Sequence, residues 1–435
     1  MAPSRLAWTC ALAFAACTRD SAPASRPVVV SEDAHVTELM REVEEARGRS
    51  FVRPVPVRYL SQEELDKELK ATWRPPWIEP EMVALDELLG IDVAPEDSFD
   101  GIYVPLTESI VAVNHPDASW RDLTLRHELC HALDDQHFGF LRRARSRRPG
   151  SLDAMIVETS IIEASAYELG DPDAFFADMA PERFKALVAE EGRGAAVATR
   201  PRAESRPREV VCRFKAWMYD IAWRAGRRLI EDGALRTGES RAAVVDRIFQ
   251  APPHCSRELL HPEQYWGART HAVVDIDLPE SESLGAPIER VGNVTLGEAF
   301  VCALTAQNRL TTLMSAVAAP TSEQLAQWMR ETSRQPWDEL PTRAASGWLA
   351  DRAWILARDE RDRALLWCSV WETEAEADEF LAAMKTKEDW SCLSFGNRVV
   401  AIADALAPGT VSPFWREVGE RAARAFRVVV VEKGG

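Results

Sequence analysis

The sequence predicts a helix-rich α+β protein that ends in a small α+β unit of mostly antiparallel strands. Apolar residues recur at helical spacing from Asp33 to about Arg334. β-rich runs interrupt them at residues 55–60 and 101–113, and the last hundred residues alternate strand pairs with a helix. A length of 435 residues allows two or three domains with a large core, and 46% apolar with 28% charged residues is an ordinary globular composition.

The chain opens on an address. Arg5 precedes Leu6 to Ala16, an apolar run too short to span a bilayer, so residues 1–16 read as a signal peptide. Its end, Leu12-Ala13-Phe14-Ala15-Ala16-Cys17, resembles a bacterial lipoprotein signal with Cys17 as the acylated residue, although Phe14 stands where an aliphatic side chain is usual. Residues 17–31 are small, polar and proline-bearing, as a tether to a membrane would be. No later segment reads as transmembrane.

A domain from 32 to 335 follows. Asp33 to Arg47 has helical spacing, and Val55 to Leu60 reads as a strand. Ser61-Gln62-Glu63-Glu64 is a capping-box signature for the next helix. Gly101–Val104 and Ser109–Val113 read as a hairpin.

Next comes His127-Glu128-Leu129-Cys130-His131, which specifies a chemistry by itself. Histidines four residues apart share one face of a helix, one turn apart, and can bind one Zn²⁺. Glu128 between them can act as base on the metal's water. Asp117 or Ser119 can cap this helix, and Leu123, Leu125, Leu129 and Leu133 give it an apolar side. Asp134 and Asp135 follow where a carboxylate could orient an imidazole from behind. Cys130 points away from the metal face and reads as a small buried hydrophobe.

Residues 141–150 form a basic loop, read as solvated. A second helix from about Leu152 to Leu169 carries Glu158 and Glu163, and two antiparallel helices would return it past the histidines. Distance along the helix falls between the two glutamates. Small Ala164 and Ser165 beside Glu163 permit a closer approach than Ile161 and Ile162 allow Glu158. Residues 187–208 read as a mobile insertion, and Val210 to Phe249 as helical core. The loop at 251–266 holds His261 and Tyr265, either of which could reach a cleft and stabilise an oxyanion. Leu296 to Phe300 opens further helix.

Residues 345–435 form the last unit. Trp354–Ala357 and Ala364–Trp371 read as one strand pair, Glu374–Met384 as a helix, and Trp390–Leu393 with Arg398–Ile402 as a second hairpin. Six cysteines beyond Cys10 and Cys17 allow up to three bridges, but their scatter does not resemble a disulfide framework. A net charge of −17 argues against nucleic acid as a partner.

The stretch His-Glu-Leu-Cys-His-Ala-Leu-Asp-Asp-Gln-His-Phe at 127–138 is similar to gluzincin-type zinc metallopeptidases, and more closely resembles a poorly characterised group of exported bacterial proteins. Ile162–Ala166, Pro252-Pro253, Leu260–Tyr265, Gly347–Arg352 and Trp371–Glu374 look like the same group. The resemblance implies a zincin-like core whose sheet lies beside the active helix, with Glu163 as third zinc ligand; Ala164 stands where a glycine often follows that glutamate. Two functions are expected from these readings. One is a zinc peptidase acting on peptides or proteins at the cell envelope, with His127, His131 and Glu163 as ligands and Glu128 as base. The other is a non-catalytic zinc-binding envelope lipoprotein that serves as a scaffold.

Overall fold

A computed structural model of the chain describes residues 34–72, 100–116, 118–140, 151–167, 225–267, 273–278, 284, 288–305, 343–359, 362–385, 390–404 and 411–431. The signal peptide, the tether, Asp117, the basic loop, the insertion at 187–208 and the helical stretches expected at 210–224 and 306–334 lie outside these residues.

Helix α1 (Ala34–Arg47) buries Val36, Leu39 and Val43. Strand β1 (Val57–Leu60) leads into α2 (Gln62–Thr72) through the expected capping box. The Ser61 N–H donates to Glu64 Oε2 at 2.8 Å, and the Glu64 N–H donates to Ser61 Oγ at 3.3 Å. Strands β2 (Gly101–Val104) and β3 (Ser109–Val113) form the expected hairpin. β3 also pairs in parallel with β1, giving the order β1-β3-β2. Helix α3 (Ala118–Phe138) packs on this sheet, sharing one core of Leu39, Val57, Ile110, Leu125, Leu129 and Leu133 with α1.

Helix α4 (Leu152–Tyr167) buries Ile156, Val157, Ile161, Ile162, Ala164 and Ala166, because it has neighbours on opposite sides. α3 covers one side, and a helix at residues 225–237 crosses another. At that crossing a Cβ on Gly226 would lie 2.2 Å from the Ser160 carbonyl and 2.7 Å from Ala164 Cβ. Only glycine permits so close an approach. Helix α5 (Arg241–Gln250), capped by Ser240, and the short helices α6 (Ser256–Leu260) and α7 (Pro262–Trp266) follow.

The C-terminal part is built from β4 (Val273–Asp277), β5 (Glu289–Val294), α8 (Glu298–Thr305), β6 (Trp348–Ala357), β7 (Arg363–Trp371), α9 (Glu374–Met384), β8 (Trp390–Phe395), β9 (Arg398–Asp404), α10 (Pro413–Ala425) and β10 (Arg427–Val431). An antiparallel sheet runs β5-β6-β7-β9-β8, and β10 pairs with β4 as a separate ribbon. Alternate residues of the sheet face opposite layers. Ile355, Leu365, Trp367, Val399 and Ala401 join α4, α8 and α9 in one continuous core. Leu356, Leu366, Cys368, Val400 and Ile402 pack with α10 on the other face.

The expected hairpins and the helix Glu374–Met384 are present. The boundary expected between 335 and 345 is crossed, because β5 and α8 precede it and belong to this sheet and its core. The signal for β5 is weak: Glu-Arg-Val-Gly-Asn-Val alternates poorly, and its register shifts between Arg290 and Gly292. The five described cysteines outside the leader, Cys130, Cys255, Cys302, Cys368 and Cys392, are free thiols. No helix among the described residues is long and apolar enough to cross a membrane.

Candidate metal centre

α3 presents His127 and His131 one turn apart, and α4 brings Glu163 against them; the three residues are 4%, 2% and 3% exposed. The two Nε2 atoms lie 3.0 Å apart, with the rings nearly perpendicular at 85°. His127 Nε2 is 3.5 Å from Glu163 Oε2, and one donor atom from each residue falls within 4.8 Å of the others. Zinc bonds of about 2.0–2.1 Å in tetrahedral geometry would separate neighbouring donors by about 3.3 Å. The two observed separations bracket that value, so the donor set fits a zinc ion. Among the described residues this is the one cluster of its kind. Glu158 is half-buried and lies outside it.

The electrostatics suit a cation. Burial, and then the neighbouring His127, push His131 well below the usual imidazole range, which leaves a neutral ring with a lone pair to give. Burial pulls His127 down too, but the hydrogen bond and charge of Glu163, with Glu128 behind, outweigh it and leave His127 raised. A metal ion at that point would answer the same carboxylates that here favour a proton.

The sequence explains how the two helices come so close. Ala164 and Ser165 are small, and the Ser165 hydroxyl donates to Asp134 Oδ2 at 2.5 Å across the helix pair. Asp134 Oδ1 accepts from Arg47 Nη2 at 2.6 Å, a buried ion pair that ties α1 to α3. Arg49 extends the network to Asp246 of α5. Asp134 and Asp135 therefore do not orient an imidazole, as their spacing suggested. Asp135 accepts from the Tyr103 hydroxyl at 2.8 Å and from the Phe140 N–H. Each carboxylate is taken by a donor from another segment, which spacing along one helix cannot show. Cys130 is fully buried, its sulfur 3.6 Å from the Ser165 carbonyl, and burial raises its thiol well above the usual range. It belongs to the packing, as expected.

Glu128 is fully buried, and its Oε2 accepts the Tyr103 backbone N–H at 2.8 Å. Sequence reasoning missed this contact, and the signal for it is Gly101. A Cβ there would sit 2.6 Å from Thr124 Cγ2 and 3.4 Å from Glu128 Cγ, so a glycine at the start of β2 lets the strand lie against the face of α3 that carries Glu128.

His261 and Tyr265 are engaged within their own region. The Tyr265 hydroxyl donates to the Ala251 carbonyl at 2.7 Å, and a phenol has one proton to give, which corrects its expected part as an oxyanion donor. His261 Nε2 is 2.9 Å from Glu298 Oε1 on α8, and neither His261 nor Tyr265 joins the metal cluster.

Comparison with known proteins adds one match: residues 286–432, about a third of the chain, correspond to a domain of unknown function, DUF8575. That segment spans β5 to β10 and lies apart in sequence from the helices that carry His127, His131 and Glu163. No curated protein and no solved structure matches the chain.

Proposed function

We propose that the chain is a zinc-dependent metallopeptidase with a zincin-like core, exported to the bacterial cell envelope and tethered there by a lipid on Cys17. The observation that carries the reading is the convergence of His127, His131 and Glu163 in one buried cluster, with Glu128 between the histidines on the same helix. When bound, zinc supplies an activated water and a Lewis acid for the scissile carbonyl. Glu128 takes the proton of the attacking water and delivers it to the leaving amine. The Tyr103 N–H holds one oxygen of that carboxylate in place.

The test is zinc content measured together with cleavage of a peptide library, wild type against Glu128→Gln. Zinc in both and cleavage by the wild type alone supports the peptidase. Zinc with cleavage by neither supports the second reading, a zinc-binding envelope lipoprotein acting as a scaffold. The complete burial of Glu128 and its bond to Tyr103 favour that second reading. Fatty-acid labelling of wild type and Cys17→Ser tests the anchor separately, and equal labelling would remove it.

A further inference from the structure

Several sequence pieces that the metal centre does not use meet in one place: the loop and helices around 252–265, the turn before α8, and Gly347–Arg352 at the start of β6. The first turn of α4 joins them there. Asp153 Oδ1 accepts the Ser256 N–H at 3.0 Å, and Ser256 Oγ accepts the Ala299 N–H at 3.0 Å. Asp351 Oδ1 accepts the Leu296 N–H at 2.8 Å, while its Oδ2 accepts the Gly297 N–H at 2.8 Å and the Trp348 Nε1–H at 3.1 Å. Gly297 has φ +88°, and a Cβ on it would lie 1.9 Å from Asp153 Oδ1. Two buried carboxylates thus grip one glycine from either side. With about 2.5 Å between a residue's N and its Cβ, the two aspartates' oxygens are no more than about 7 Å apart.

The charges around this point do not balance. Asp153, Glu258, Glu298 and Asp351 are all buried. From α6, Arg257 supplies the buried guanidinium, committed to the Trp348 carbonyl, to Gln264 and to half-exposed Glu372. His261 serves Glu298 and lies 3.6 Å from exposed Glu263. Two ionised carboxylates this close at low dielectric repel strongly. Asp351, with three N–H donors, is the one of the two that ionises more readily. Asp153 has one such donor on one oxygen, so the proton belongs there.

We propose that the Asp153–Gly297–Asp351 junction is a proton-operated latch. A proton on Asp153 lets the two carboxylates hold the C-terminal sheet on the helix that carries Glu163, and its loss as pH rises through neutrality loosens that grip. Burial pushes Asp153 up to about 7, against the Ser256 hydrogen bonds and with the charges of Asp351 and Glu298 adding to it. Burial pushes Asp351 up to about 6 against its N–H donors. A group whose folded pKa is raised contributes stability that is complete below its ordinary pKa of about 4. That stability declines as pH rises above this and is gone once pH passes the folded value, about 7 for Asp153. His261 changes with the same sign: burial pulls it down, but Glu298 and Glu263 outweigh this and raise it, so its proton too is lost as pH climbs.

The inference does not rest on zinc. Hydrogen exchange of the full chain at about pH 5.5 and about pH 8.5, corrected for chemical exchange, tests it. Amides at 151–163 and 288–305 should exchange at least about tenfold faster at the higher pH, while those of α1 and β3 hold. Asp153→Asn keeps the acceptor for the Ser256 N–H and removes the titration, so its protection should be flat with pH. Equal protection of the wild type at both values, or a wild-type pH response in Asp153→Asn, overturns the latch. Should that variant fail to fold, infrared spectra of the wild type decide: a buried protonated carboxyl band that titrates near neutrality supports the proposal, and its absence overturns it.

Discussion

Ser165 on α4 donates its hydroxyl to Asp134 on α3, joining behind the candidate site the two helices that carry its three ligands. The same aspartate holds the buried Arg47, with side chains 2% and 1% exposed. Asp134→Ala would take from the buried guanidinium its closest partner and leave it Asp246 at 3.5 Å and the Ala242 carbonyl at 3.4 Å. The loss should therefore reach at most about 3–5 kcal/mol, that of a fully broken buried pair. Denaturant unfolding should show that loss. Ser165→Ala, which removes one neutral donor, should cost only about 1–2 kcal/mol.

Glu163→Gln should weaken zinc binding by more than the roughly 10–100-fold seen when a group behind a ligand is lost, because a carboxylate within reach of both histidines is replaced by an amide. Glu158→Gln should leave the affinity within about threefold, well inside that range. Chelator competition measures both, and the reverse order would move the ligand to Glu158.

Glu128→Gln should bind zinc nearly as the wild type does, since Glu128 is placed as a base and not a ligand. The amide oxygen can still accept the Tyr103 N–H, so folding should be unchanged. Turnover of a cleaved peptide should fall by at least about 10²-fold, the lower end for loss of a general base. Retained cleavage would assign the chemistry elsewhere.

Gly101→Ala should lower the melting temperature, because the new methyl meets Thr124 2.6 Å away and pushes β2 off α3. Overpacking of this kind costs about 1–3 kcal/mol. Thr124→Ser in the same chain removes the clashing methyl and should recover much of the loss. No recovery would mean that the strand and helix do not press together there.

A chain ending at residue 342 should fail to give soluble folded protein. It would keep β5 without β6, and would bare the side of α8 that packs on Trp367 and Phe380. A monomeric, cooperatively unfolding product from that truncation would show that the sheet is dispensable to the half that carries His127, His131 and Glu163.

The parts of this fold that were legible in the sequence are those whose signal is local. His127 and His131 announce themselves by spacing and the Ser61–Glu64 box by pattern, and the helix Glu374–Met384 has the extent the sequence predicts. Ala164 stands where the resemblance suggests a glycine, and the reason lies far along the chain: Gly226 supplies the space on the opposing helix. The parallel pairing of β1 with β3, the capture of Asp134 by Arg47, and the commitment of Tyr265 to Ala251 all join residues through the fold. No periodicity encodes such contacts. The junction at Gly297 was visible only as scattered short motifs until the fold brought them together.

The bond between Glu128 and the Tyr103 N–H has a consequence for behaviour in concentrated solution. Among the described residues β2 ends its sheet, and an end strand offers its N–H and C=O groups as a template on which another chain can add. Near the middle of that edge the N–H is already occupied by a side chain rather than a strand. Glu128 therefore acts as a stopper against edge-to-edge growth. A Gln there keeps the stopper. A Leu removes it, and should make the protein aggregate more readily as its concentration rises.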